Sequence, residues 1–170
     1  MDCEDLGMLD RTGRARLAVL IDGENASARH ARAVFETAGK IGEATVRRIY
    51  GDFSNGRLAS WNAAIRSYSI VPCHQSAHAR GKNAADIALA IDAMDLMHRE
   101  RLDGFCLVSS DSDFTRLAQR LREGGLAVYG FGESKTPEGF RAACHRFETV
   151  GKVRNRAREP GEQFFQEQDR

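Results

Sequence analysis

Short apolar runs alternate along this chain with longer stretches whose apolar positions recur at helical spacing. The first run, "RLAVLID", precedes "SARHARAVFETAGK", where Ala31, Val34, Phe35 and Ala38 fall on one helical face. "EATVRRIYGD" is β-branched and partly alternating, so it reads as a strand. "RLASWNAAIRSYS" reads as a helix and "IVPCHQ" as the next strand. "NAADIALAIDAMDLMHRE" is the longest helix, and "GFCLVSS" is a buried strand. "DFTRLAQRLREGG" carries Phe114, Leu117, Ala118 and Leu121 on one face and stops at Gly124 and Gly125. "LAVYGFG" is a further strand, followed by a short helix from Pro137 and a last strand candidate, "RFETV".

Strands that alternate with helices of this length predict an α/β fold. The expected form is three layers, α/β/α, around a central, mainly parallel sheet of about five or six strands with right-handed crossovers. A chain of 170 residues suits one domain with a real core. Residues 15–150 carry the pattern. Residues 1–14 and 151–170 are polar, mixed in charge and aperiodic, so they read as N-terminal and C-terminal tails.

No run approaches the roughly 18–20 apolar residues of a membrane span. The first residues hold early acids and no apolar core, unlike a secretory signal. The expectation is a cytoplasmic protein without membrane association. Its four widely spaced cysteines then read as free thiols. "CHQSAH" groups Cys73, His74 and His78 but lacks the second ligand pair of a structural zinc site.

The net charge of +1 hides an uneven distribution. Residues 29–82 hold nine Lys and Arg against three acids, while the flanking stretches are acidic. A basic surface beside an acidic cluster suits a protein that handles phosphates.

The acids are better placed than their number suggests. In an open parallel sheet, ligands bind beyond the carboxyl ends of the strands. Asp22 ends "LAVLID", and Asp111 and Asp113 follow "GFCLVSS", so both groups fall at the same sheet edge. On a helical wheel, Asp92, Asp95 and Arg99 share a side that reads as solvated, with an acid–base pair at i,i+4. Ile87, Ile91 and Met94 belong to the apolar remainder, and Asp86 lies inside that arc with Ala90, Ala93 and Met97. An unpaired carboxylate in a core costs several kcal/mol or takes up a proton. From the first turn, however, Asp86 can aim at the sheet rim.

Each acid has a structural alternative. Asp111 can cap the next helix, Asp113 can sit in its first turn, and Asp86 can be a dipole-favoured acid behind an Asn83 cap. Asp22 is harder to explain this way, because a carboxylate directly after five apolar residues has little local structural purpose. Four carboxylates from three distant segments repel one another unless a cation sits among them, and all-oxygen donors favour Mg²⁺ or Mn²⁺ over zinc. An aspartyl phosphatase fits loosely, because the first strand is followed by Asp22-Gly23-Glu24 rather than Asp-x-Asp. A sugar-nucleotide transferase, suggested by Asp-Ser-Asp, lacks a sugar-binding domain, and dinucleotide binding lacks Gly-x-Gly-x-x-Gly.

The segments "VLIDGEN", "RRIYGDFS", "GKNAADIALAIDAMDLM", "LVSSDSDFTRLAQRLREGG" and "VYGFG" resemble the NYN domain, of the LabA-like and limkain-like branch of the PIN-like nucleases. The resemblance spans about residues 16 to 150 and implies a PIN-like, Rossmannoid fold with metal-dependent RNA cleavage. Carried onto this chain, the family's acids are Asp22, Asp86, Asp111 and Asp113, as catalytic residues and ligands of Mg²⁺ or Mn²⁺. Its first-loop Asn matches Asn25, its serine before the acid matches Ser110, and its Gly-Lys entry to the long helix matches Gly81 and Lys82. Expected RNA contacts are Asn25, Ser110, Arg80, Lys82 and Asn83, and the implied products are a 5′-phosphate and a 3′-hydroxyl. Single-stranded RNA, a homodimer and a separate RNA-targeting partner are further expectations. The alternative is a non-catalytic RNA- or protein-binding module on the same fold. Trp61 could stack a base, although its helical neighbours Ala64, Ile65 and Tyr68 favour a core position.

Overall fold

Six strands of the described residues form one sheet in which every neighbouring pair is parallel. A computed structural model describes residues 13–76 and 83–151. The expected tails fall almost wholly outside them, as do Cys3, His78, Arg80, Gly81 and Lys82. The strands are β1 (Ala15–Asp22), β2 (Gly42–Gly51), β3 (Val71–His74), β4 (Gly104–Val108), β5 (Ala127–Gly132) and β6 (Arg146–Thr149). Between them run α1 (Ala31–Ile41), α2 (Asn62–Ser67), α3 (Ala84–Arg99), α4 (Thr115–Glu123) and α5 (Glu138–Ala143).

The spatial order is β3-β2-β1-β4-β5-β6. The chain builds outward from β1 to β3, returns through α3 to the other side of β1, and builds outward again. The reversal lies between β1 and β4, the point where loops diverge and leave a crevice at the carboxyl ends. It also divides the helices. Leu17, Val19 and Ile21 of β1 pack with Val34, Ala38 and Trp61 of the α1–α2 layer. Ala18 and Leu20 pack with Leu89 of α3, Leu117 of α4 and Phe140 of α5 on the opposite face. Burial on both faces explains why β1 reads as a continuous apolar run instead of an alternating one.

The side chains on the expected face of α4 (Leu117, Ala118 and Leu121, with Phe114 before it) are all buried, and the helix gives way to Gly125 at φ +84. "RLASWNAAIRSYS" is less helical than its pattern: a 3-10 turn over Ala59–Trp61 and six residues of α2. The Asn55–Gly56 turn delays its start, with Gly56 at φ +74, and Ser69 at φ +50 closes it.

Two expectations for α3 need correction. Ile87 and Ile91 are each 59% exposed, because Ala85, Leu89, Ala93 and Leu96 make the buried stripe. Asp92 does not lie on a solvated face. Its Oδ2 accepts from Arg48 Nη1 and Tyr50 Oη, both at 2.8 Å, and so pins the helix to β2. Burial and the Asp92 carboxylate push the Tyr50 phenol up. Only Asp95 makes the expected i,i+4 pair with Arg99.

Candidate active site

Side-chain alternation along β1 settles where Asp22 points. It follows Ala18 and Leu20 on the face that α3 covers, and it is 1% exposed. Because Ile21 pairs with Val108, the residue beyond β4 that meets Asp22 is Ser109. Ser109 Oγ donates to Asp22 Oδ2 at 2.7 Å and accepts from Asp111 N at 3.0 Å. Asp22 Oδ1 accepts from the backbone N–H groups of Glu24 and Asn25, both at 3.2 Å. A carboxylate offers about four lone-pair positions. Three donors hold Asp22 here and leave acceptor capacity free.

Asp111 does what its local sequence allows: Oδ1 accepts from Asp113 N at 2.9 Å and caps the turn Ser112–Phe114. Its other oxygen takes no hydrogen bond among the described residues. Asp113 is exposed in that turn. Capping therefore explains one oxygen of Asp111 and nothing about where Asp111 and Asp113 aim.

Asp86 supplies the electrostatic observation. No described donor reaches its carboxylate, and burial, then the charges of Asp22, Asp111, Glu24 and Asp113, push it from 3.8 up to about 6. Asp86 is thus within electrostatic reach of the other three expected acids, Asp22, Asp111 and Asp113. Glu24 joins them, an acid that sequence reasoning weighed only as the second half of a failed phosphatase motif. Its signal was its spacing, two residues past Asp22 in the same loop.

These carboxylates sense one another without touching. Among the described residues, no three His, Cys, Asp or Glu side chains are drawn to the separations of a shared coordination shell. The donor set itself suits a hard divalent cation: all oxygen, with no paired cation among the described residues, and with free lone pairs at Asp22, Asp86 and Asp111. The described part of "CHQSAH" makes no such group. His74 Nε2 instead meets Ser76 Oγ, its Nδ1 accepts from Phe53 N, and His78 lies outside the described residues.

The expected RNA contacts divide. Asn25 and Asn83 are exposed at the crevice, and Asn83 occupies the cap position of α3 without a side-chain cap bond. Ser110 turns away from the acids and accepts from Glu133 N at 2.9 Å, so the serine that touches Asp22 is Ser109. Arg80 and Lys82 lie outside the described residues. Much of the basic stretch is committed elsewhere. Arg48 holds Asp92, Arg32 holds Glu36, and Arg47 donates to the carbonyls of Ala44 and Tyr68. Trp61 is 2% exposed and belongs to the core.

A six-stranded parallel sheet flanked by helices, with its strand order reversed at an acidic crevice, is consistent with a PIN-like three-layer α/β domain. Residues 16–151 match the family model described as the NYN domain, and the chain belongs to that family, whose members are generally nucleases. A crystal structure of a protein of unknown function from Vibrio parahaemolyticus RIMD 2210633 is similar in fold, with a TM-score of 0.66 at 17% identity. The match covers 82% of this chain and 94% of that one. No curated protein matches the sequence. No helix of the described residues is long and apolar enough to cross a membrane.

Proposed function

We propose that this chain is a metal-dependent ribonuclease that hydrolyses RNA phosphodiesters at Asp22, Asp86, Asp111 and Asp113. The observation that carries the reading is Asp86, a half-buried carboxylate raised to about 6 by burial and then by the charges of Asp22, Asp111, Glu24 and Asp113, with no described cation beside it. A structural acid in a packed protein acquires a partner, as Asp92 does. A site that gathers like charges pays for itself only when a cation or its substrate completes it.

Bound Mg²⁺ or Mn²⁺ supplies a water of lowered pKa and positive charge against the phosphoryl oxygens. Asp22, Asp86 and Asp111 would hold the ion, directly or through water, with Asp113 as the outermost ligand or as the group that orients the attacking water. Asn25 is assigned to the scissile phosphate, and Asn83, Arg80 and Lys82 to the flanking RNA. Expected products are a 5′-phosphate and a 3′-hydroxyl.

The test is incubation of the purified full chain with end-labelled single-stranded RNA in Mg²⁺, in Mn²⁺ and in chelator, beside Asp22→Asn and Asp111→Asn. Cleavage that needs metal and disappears in both variants supports the nuclease and its site together. Tight RNA binding without cutting, unchanged by either substitution, would leave a binding module. Cutting that survives both substitutions would betray a contaminant.

A further inference from the structure

Next to the carboxylates, a second concavity opens between the loop after β1 and the 3-10 turn before α2. It encloses about 380 Å³, within the range of small-ligand sites, roughly 300–1,000 Å³. Its floor is apolar and fixed. Leu58 and Trp61 are buried there, and Gly51 leaves room for Leu58, since a Cβ at position 51 would stand 2.4 Å from Leu58 Cδ1. Its lining is otherwise polar: Ser27 on one side, Arg57 and Ser60 on the other, with the carboxylates of Glu24 and Asp52 between them as acceptors. The tip that carries Arg57 is set by Arg57 N donating to Asn55 Oδ1 at 3.0 Å and by Ala59 N donating to Gly56 O at 3.1 Å. The Arg57 guanidinium is exposed and pairs with no acid among the described residues. Glu24 joins the two sites, because it lines this cavity and its backbone N–H donates to Asp22 Oδ1 at 3.2 Å.

We propose that this cavity seats the base and ribose of one nucleotide of a single-stranded RNA, beside the phosphodiester held at the carboxylates, with Arg57 on a neighbouring phosphate. The assignment rests on the ribonuclease reading and deepens it. An apolar floor with hydroxyls at the rim matches a ring that stacks on one side and hydrogen-bonds at its edges. A lone guanidinium at the mouth matches the charge that accompanies such a ring. A base inside a duplex is stacked and paired and cannot enter without being flipped out, so unpaired RNA is the substrate this cavity admits.

Trp61 is the chain's sole tryptophan and lines the cavity, so its fluorescence reports occupancy directly. The experiment titrates the full chain in chelator with the four nucleoside 5′-monophosphates, and measures RNA cleavage in Mg²⁺ in parallel. The expected result is a saturable fluorescence change with at least one nucleotide in the millimolar range. Ser60→Phe, which fills the exposed mouth, should weaken that binding about tenfold, and Arg57→Ala about fivefold. Asp111→Asn should bind as wild type does while losing cleavage. Cleavage of RNA without a saturable change from any mononucleotide would overturn the cavity assignment and leave the nuclease. Binding indifferent to Ser60→Phe would overturn it as well, by placing the nucleotide elsewhere. Saturable, Ser60-dependent binding by a protein that cuts no RNA would instead remove the nuclease reading and keep the nucleotide seat.

Discussion

Helix α3 carries two half-buried aspartates, six positions apart in number, with opposite surroundings. Asp92 faces β2 and meets a guanidinium and a phenol at 2.8 Å. Asp86, in the first turn, has no hydrogen-bond or ion-pair partner among the described residues, and burial and neighbouring carboxylates raise it to about 6. Same residue type, same helix, similar burial: the partner differs, and with it the purpose. A compensated acid contributes to holding the fold together. An uncompensated one reduces stability, and a protein keeps it where something outside the chain supplies the missing charge.

The widest separation between the two should be in catalysis. Asp86→Asn is expected to lower RNA cleavage by about 10³-fold or more, the scale of losing a group that stabilises the transition state. Asp92→Asn should stay within about threefold of wild type under conditions where it remains folded. Single-turnover cleavage of labelled RNA measures both, and equal losses would erase the distinction.

Stability should rank them the other way. Asp92→Ala strips the Tyr50 hydroxyl and Arg48 of their acceptor and is expected to cost about 2–3 kcal/mol in urea unfolding. Asp86→Asn in chelator should gain about 1 kcal/mol by relieving repulsion.

The pH dependence sharpens the same point. An acid raised from 3.8 to about 6 on folding binds more protons in the native state than in the unfolded state across that window. Metal-free stability should therefore fall as pH climbs from 4 to 6, by about 1–2 kcal/mol after allowance for partial solvation, and stay level in this contribution above it. Asp86→Asn should flatten the curve. A rise over that window attributable to Asp86 would contradict the arrangement.

Smallest is the effect of the ion alone. Millimolar Mg²⁺ or Mn²⁺ should raise the melting temperature of the wild type by a few degrees, about 1–2 kcal/mol by mass action. Asp86→Asn and Asp22→Asn should shift little.

The contrast between the two aspartates also marks how far the sequence could be read. A helical wheel places residues around an axis and is blind to what approaches from outside. It grouped Asp92 with Asp95 and Arg99, because nothing local reveals that Arg48 reaches across from β2. It assigned Ile87 and Ile91 to the buried arc, since hydrophobicity without a matching surface looks like core. The adjacency of two strands, by contrast, was the condition for the acids to converge. Asp22 and Asp111 end separate apolar runs, and only neighbouring strands could let them meet; β1 and β4 are such neighbours. The resemblance points to Ser110, whereas Ser109 is the serine that bonds Asp22, because the choice depends on the register of Ile21 against Val108. Glu24 escaped notice for another reason. It was compared with a motif it failed to match instead of with the space its loop occupies.

Asp22 reaches the crevice with three hydrogen bonds already made, whereas Asp86 and Asp113 arrive with none among the described residues. Under the proposed chemistry, an ion meets one fixed wall and several adjustable arms. The wall sets whether a site exists, and the arms set which ion it prefers. Adaptation of this domain to a different metal supply would then run through α3 and the Asp111–Asp113 turn, leaving β1 untouched.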